Sequence, residues 1–349
     1  MTDSVPSWWG ETWRRLEARW LRARRTGTLL VEAPEGLGGD ELSRLLCTAL
    51  LCLESVGDLP CGRCAACRLV AGGTHPDFHG PAEADGRYGI DDLRGWLADL
   101  ACRPVVSTRT VLWLPAPDRL GLAAASALLK TLEEPPEDAV LVLSARNART
   151  LPPTVRSRAE VHRLPFPDHG QGLAWLRGTR AVREETETHG VFLELADGAP
   201  FLARRYETRT GGRLELLAAT VARFFGAPTD ALRAARAVHT GAWLEGTKDT
   251  PSLAGSDAAR VVGHWFRSAL SARCGLAPLS VPPALAGFLQ AFPARRLLEL
   301  HDETRRLVRL SGTGINEALT WEALALSCAN PGPAARGGAR PQTRAGFSS

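Results

Sequence analysis

Thr28-Leu-Leu-Val-Glu-Ala-Pro-Glu-Gly-Leu-Gly-Gly-Asp-Glu-Leu-Ser-Arg44 is the stretch whose reading decides the fold. Leu29 to Ala33 is a short apolar run that reads as a strand, a Gly-rich turn follows, and a helix starts near Asp40. That is the layout of a phosphate-binding loop, G-x-x-x-x-G-K-[ST], in which backbone N–H groups and a helix N-terminus cradle phosphates. Laid over this chain, the template puts Ala33 at the first Gly and Gly38 at the second; Gly36 lies between them. Gly39 falls where the Lys belongs, and Asp40 where the Mg²⁺-binding Ser or Thr belongs. The scaffold is kept and its chemistry is missing. Without the Lys no cation reaches the β/γ-phosphates, and Asp40 places a carboxylate where negative charge would gather. An ordinary Gly-rich βα turn has the same local pattern, so this stretch alone leaves both readings open.

Upstream, Trp9, Trp13, Leu16 and Trp20 recur three or four apart, predicting an amphipathic helix over residues 7–25 with Arg14, Arg15, Arg19 and Arg22 on its other faces. Such a basic face can touch DNA or simply be solvated. Downstream, an apolar helix over 41–53 runs into Cys52, Cys61, Cys64 and Cys67, spaced C-x8-C-x2-C-x2-C. Thiols this close suit a tetrahedral Zn²⁺, since short C-x2-C turns bring thiolates to one point. Disulfides fit a reducing cytosol poorly. Four thiolates fill the coordination shell, which predicts one structural Zn²⁺ with no activated water. His75 and His79 are near enough to substitute as ligands, but the four thiols make them structural candidates.

Ile90, Leu93, Leu97 and Leu100 predict a helix over 90–102, and Thr110-Val-Leu-Trp-Leu114 a buried parallel strand. In a phosphate-loop NTPase such a strand ends in the acids that hold Mg²⁺ and orient water; here it ends in Pro115 and Ala116. A helix over 123–134 stops at Pro135-Pro136, Val140 to Leu143 is another buried strand, and Leu151-Pro-Pro-Thr-Val-Arg-Ser-Arg158 follows.

Ala127-Leu-Leu-Lys-Thr-Leu-Glu-Glu-Pro-Pro136, the cysteine cluster, His75-Pro76-Asp77 and Leu151–Arg158 together resemble the subunits of the bacterial DNA polymerase III clamp loader. The resemblance covers about residues 7–210. It implies an α/β, P-loop-like AAA+ domain with a zinc module (1–166), a small helical lid (167–210) and an all-α collar (211–330), with residues 331–349 as a disordered tail. Gly39, Pro115 and Ala116 set the chain apart from the family's ATPases and match its non-hydrolysing member. Phe201 stands where the ATPases have a nucleotide-touching Arg. The family's Ser-Arg-Cys motif appears as Ser157-Arg158-Ala159, which loses the Cys and keeps the Arg. The resemblance thus implies no working ATP site at Gly36, Gly38, Gly39 and Asp40. It further implies Arg158 as an arginine finger acting in trans, and as partners the gamma/tau ATPase subunits, the delta subunit, and through them the sliding clamp and primed DNA. Asn316, near the start of the last helix, matches the ending of the family's collar domains. An active AAA+ ATPase and a zinc-dependent DNA-binding factor are the competing readings.

Length and composition set the outer bounds. The chain has 349 residues, 44% of them apolar and 23% charged, with a formal charge of +4, the profile of a globular protein that permits nucleic acid nearby without demanding it. Lys130 and Lys248 are its only lysines. No run approaches the roughly 20 apolar residues of a membrane span, and the N-terminus does not read as a signal peptide, so a cytoplasmic protein without membrane contact is expected. Arg336, Arg340 and Arg344 punctuate an acid-free tail that is either idle or in weak contact with DNA.

Overall fold

The structure, a computed structural model, describes residues 5–55, 59–82, 88–117, 120, 122–178, 186–225, 228–240, 253, 255–276, 280–311 and 316–329. The expected tail at 331–349 lies outside them. The chain divides into two compact units, Met1–Arg180 with Gly198–Ala203, and Ala181–Asp197 with Arg204–Ser349.

The first unit is built on a five-stranded parallel sheet. After a 3-10 turn at Ser7–Trp9 come α1 (Gly10–Leu16) and a π-helical stretch, Glu17–Arg22; β1 (Gly27–Glu32), α2 (Gly39–Leu51), α3 (Ala65–Ala71) and β2 (Phe78–His79) follow. Next come α4 (Ile90–Leu100), β3 (Thr110–Pro115), α5 (Leu122–Glu133), β4 (Ala139–Ala145), α6 (Pro153–Arg156), β5 (Glu160–Arg163) and α7 (His169–Gly178). The strands lie in the order β2-β3-β4-β1-β5. Every residue of β3 and β4 is buried, which explains why these strands read in the sequence as unbroken apolar runs rather than alternating ones. Strand register sorts side chains by face. Leu30 pairs with Leu143 and Leu112 with Leu141, and all four join Leu93, Leu100, Leu128 and Leu132 in one core beneath α4 and α5. The alternate residues face the other way, where α2 packs on β1, β3 and β4 and Arg44 lies over the Trp113 ring at 5.2 Å. The short strands β2 and β5 carry too few residues to show a period, and no pattern marks them in advance.

The second unit is helical throughout its described residues: α8 (Thr186–Leu195), the later part of α9 (Pro200–Thr210), α10 (Leu214–Phe225), α11 (Pro228–Thr240), α12 (Gly255–Arg273), α13 (Pro283–Gln290), α14 (Ala294–Leu310) and α15 (Glu317–Ala329). Helices α12 and α14 pack together, as do α11 and α15. Trp265, Phe266, Leu297, Leu307 and Trp321 are buried, while Leu216, Leu298 and Leu319 remain exposed on their helices.

Candidate functional site

The Gly-rich turn joins the C-terminal end of β1 to α2, where open α/β sheets place their ligands. Gly36 and Gly38 have φ of +81° and +88°, a region that favours glycine, and Gly38 caps α2. Both glycines are covered. A Cβ on Gly38 would lie 2.4 Å from the Trp9 ring and 2.5 Å from that of Phe201; on Gly36 it would lie 2.4 Å from Leu202 Cβ. Trp8 and Trp9 both donate their indole N–H to the Leu37 carbonyl, at 3.2 and 3.1 Å. The Phe201 amide donates to the Gly36 carbonyl at 2.9 Å. The rings of Trp9 and Phe201 stack at 5.6 Å, and Trp175 closes on Phe201 at 4.4 Å. Three aromatic side chains therefore sit directly against the loop that in a phosphate cradle faces its ligand.

Beneath that cover lie the template positions themselves. At Gly39 a Cβ would lie 2.7 Å from Ala33 Cβ, so the Ala at the first template position leaves no room for a side chain at the Lys position. Asp40 lies in the first turn of α2 and accepts from the Ser144 hydroxyl, which gives the positive end of the helix a carboxylate of its own. Where the Mg²⁺-binding acids would stand, the Pro115 carbonyl accepts from Tyr88 Oη at 2.8 Å, and Ala116 has φ +47°, a left-handed conformation that non-glycine residues adopt rarely.

The four cysteines converge. Their sulfurs all lie within 4.8 Å of one another, with Cys52–Cys64 and Cys61–Cys67 each at 4.0 Å. Tetrahedral coordination with metal–sulfur bonds near 2.3 Å separates sulfurs by about 3.8 Å, whereas a disulfide holds them at about 2.05 Å. The set can hold one metal ion. Burial opposes the Cys64 thiolate, but amide N–H groups, that of Cys67 foremost, and the neighbouring thiols outweigh it and bring its pKa down to about 6.

His75-Pro76-Asp77 is structural here. The Asp77 carboxylate accepts from the amides of Val105, Val106 and Ser107 at 2.6 to 2.8 Å. His75 Nδ1 accepts from the Asp77 amide at 3.0 Å, and its Nε2 meets Ser107 Oγ at 3.2 Å. Ser107 Oγ in turn donates to the Leu51 carbonyl, and Val106 packs on the cysteine cluster. The triplet thereby ties the loop before β3 to the cluster and to the end of α2.

Arg158 lies just past α6. Its guanidinium donates to Glu133 Oε1 at 2.7 Å and to the Thr154 carbonyl at 3.0 Å. Glu133 is the last residue of α5, so two of the four sequence features that carried the resemblance meet at this ion pair. Both partners are partly exposed, at 35% and 53%; pairs of that kind contribute about 0–1 kcal/mol, so breaking this pair costs little.

Comparison with known proteins bears on the same residues. The family profile described as "DNA polymerase III, delta subunit" matches residues 10–168. The DNA polymerase III subunit delta' of Pseudomonas aeruginosa is 34% identical over 208 residues, 59% of this chain and 62% of that protein. The Escherichia coli K12 subunit delta' is 33% identical over 195 residues, 55% of this chain and 58% of that protein. Over this stretch the chain is similar to the delta-prime subunits of DNA polymerase III. It spans about three fifths of the length of these curated relatives. Among solved structures, a gamma subunit-related protein of Thermotoga maritima aligns over 90% of this chain at 18% identity with a TM-score of 0.45.

Sequence reasoning singled out the Lys position, the cysteines and Arg158, but gave no place at the turn to Trp8 and Trp175. Trp8 offered a signal. It adjoins Trp9, two neighbours cannot share one helix face, and both are 4% exposed, so the second indole needed a partner outside the helix.

Proposed function

We propose that this chain is a non-hydrolysing subunit of the DNA polymerase III clamp loader. It assembles with gamma/tau-type ATPase subunits and a delta subunit to load the sliding clamp onto primed DNA. In this reading the first unit carries an AAA+ domain whose own nucleotide site is closed, and Arg158 acts in trans at a neighbour's ATP. The single observation that carries it is the aromatic cover on the Gly-rich turn: Trp9 and Phe201 stack over Gly38 while Trp8 and Trp9 take the Leu37 carbonyl. A loop so packed has neither the space nor the cation for phosphates. The four cysteines hold one structural Zn²⁺. The lid at 167–210 and the collar at 211–330 complete the subunit, and the compact units divide within the segment assigned to the lid.

In trans, a guanidinium on a transferring phosphoryl group accounts for about 10³–10⁵ in rate where GTPases have been measured. The test is purification of the chain alone and co-expressed with gamma/tau and delta. The reading requires blank-level ATP turnover for the chain alone and co-elution of the three as one species. Turnover that survives repurification, or failure to co-elute, contradicts it.

A further inference from the structure

At the end of β1 opposite the Gly-rich turn lies a cavity of about 520 Å³. Arg19, Arg25 and Arg158 line it, with Trp20, Thr28 and Glu160. Two of these residues carry polar groups with nothing to bond. Thr28 is 7% exposed and Trp20 1% exposed, and neither Thr28 Oγ1 nor Trp20 Nε1 has a hydrogen-bond partner among the described residues. A buried polar group left unmatched costs about 1–3 kcal/mol, and in a folded protein it calls for a partner supplied from outside. The charged groups point the same way. Glu160 is the only carboxylate among the described lining residues, and it is engaged by Arg19 at 2.9 Å, Arg25 at 3.0 Å and the buried His162 at 3.1 Å. Arg25 is also fixed over the Trp20 ring, 5.6 Å from its centre. Arg158 is paired with Glu133 at 2.7 Å, so three guanidinium groups stand against two carboxylates and leave a formal charge of +1 around the cavity. An indole N–H can only donate, and a guanidinium carries five donors and no acceptor. Matching them takes a ligand with several acceptor oxygens and negative charge.

We propose that this cavity binds a phosphate-sized oxyanion, either free phosphate or the terminal phosphate of a nucleotide, held by Arg19, Arg25 and Arg158 and by the Thr28 and Trp20 donors. The site is at the other end of the strand from the closed loop and needs no neighbouring subunit. It therefore stands or fails separately from the trans role of Arg158.

The experiment titrates inorganic phosphate into the zinc-loaded full-length chain at constant ionic strength, read by calorimetry and by 31P line width, with a parallel arm using Mg-ATP. Saturable binding at one phosphate per chain is expected. Thr28→Val keeps the shape and removes only an unpartnered hydroxyl, so it should leave thermal stability unchanged or raised while weakening phosphate binding several-fold, about tenfold at most. Arg25→Gln should weaken it by about tenfold or more, because charge-assisted bonds are stronger. Arg94→Gln, which removes one exposed charge from α4, should have no effect. Competition between ATP and phosphate, with the same sensitivity to Thr28→Val, identifies a nucleotide phosphate as the source; binding of phosphate without ATP identifies the free ion. Absence of saturable phosphate binding, an undiminished affinity in Thr28→Val, or equal losses in Arg94→Gln and Arg25→Gln would overturn the proposal.

Discussion

Gly39 is the residue at which the departure from the phosphate-loop template is most firmly fixed. The obvious reversion, Gly39→Lys, restores the template Lys on paper but sets a Cβ 2.7 Å from Ala33 Cβ. Overpacking of that kind costs about 1–3 kcal/mol, and the new ammonium would lie beside a turn already covered by Trp9 and Phe201. Gly39→Lys is therefore expected to lower thermal stability and to leave ATP binding no tighter than in the wild type by equilibrium dialysis; a gain of tight binding in this single variant would show that the loop is open. At this scale the sequence was half legible. The template showed that the Lys was missing, yet the reason it cannot return is a contact between positions six residues apart that meet only through the turn. Arg158 was legible as a position in a motif, whereas its Glu133 partner on α5, 25 residues earlier, was not.

Among the elements, the loop that holds the cysteines was the easiest to read and its supports the hardest. The C-x2-C turns announce a metal site because spacing alone brings the thiolates together. Nothing in the spacing says that Asp77 holds the 105–107 backbone. At Asp77, burial works against the carboxylate, but three amide donors prevail and hold its pKa below the ordinary carboxylate value. Asp77→Asn keeps the shape and loses the charge-assisted bonds, each about 1.5–3 kcal/mol with partial compensation by the amide oxygen. We expect it to destabilise the first unit by about 1–3 kcal/mol and to speed hydrogen exchange at Val105, Val106 and Ser107; unchanged exchange at those amides would show that the clamp is idle. Metal removal acts on the same element from the other side. Because binding energy at such a site is folding energy, Cys64→Ser should lower metal content from one Zn²⁺ per chain toward none and raise proteolysis between α2 and β3, with the helices of the second unit still protected. Protein purified without chelator that contains no zinc would refute the assignment.

Across the whole molecule, stability should depend on pH through buried histidines as well as carboxylates. In the second unit His264 is buried, and burial first, then the adjacent Arg267, lower its pKa to about 4. An unfolded chain takes up that proton near pH 6.5, so the neutral His264 contributes fully above that pH and its contribution falls away as the pH drops toward 4. Between pH 7 and 5 this amounts to about 2 kcal/mol, and denaturant titrations of wild type and His264→Gln should show a shallower pH dependence in the variant; identical curves would exclude His264 as the source. The parallel sheet was readable at this scale because its central strands are unbroken buried runs. The division into units was not, since α9 begins in one and ends in the other, and no Pro- or Gly-rich break marks the change within the helix. The central claim is that this chain turns over no ATP itself and completes a neighbour's site with Arg158. The direct measurement is ATP turnover by gamma/tau and delta subunits with primed DNA and clamp, to which wild-type chain or Arg158→Ala is added in equal, verified assembly. Wild type should stimulate turnover. Arg158→Ala should assemble equally but lose one site's share of that stimulation together with any coupling, and Arg158→Lys should restore little of it, because a point charge does not reproduce the planar fork. Equal turnover by wild type and Arg158→Ala in fully assembled complexes would contradict the claim.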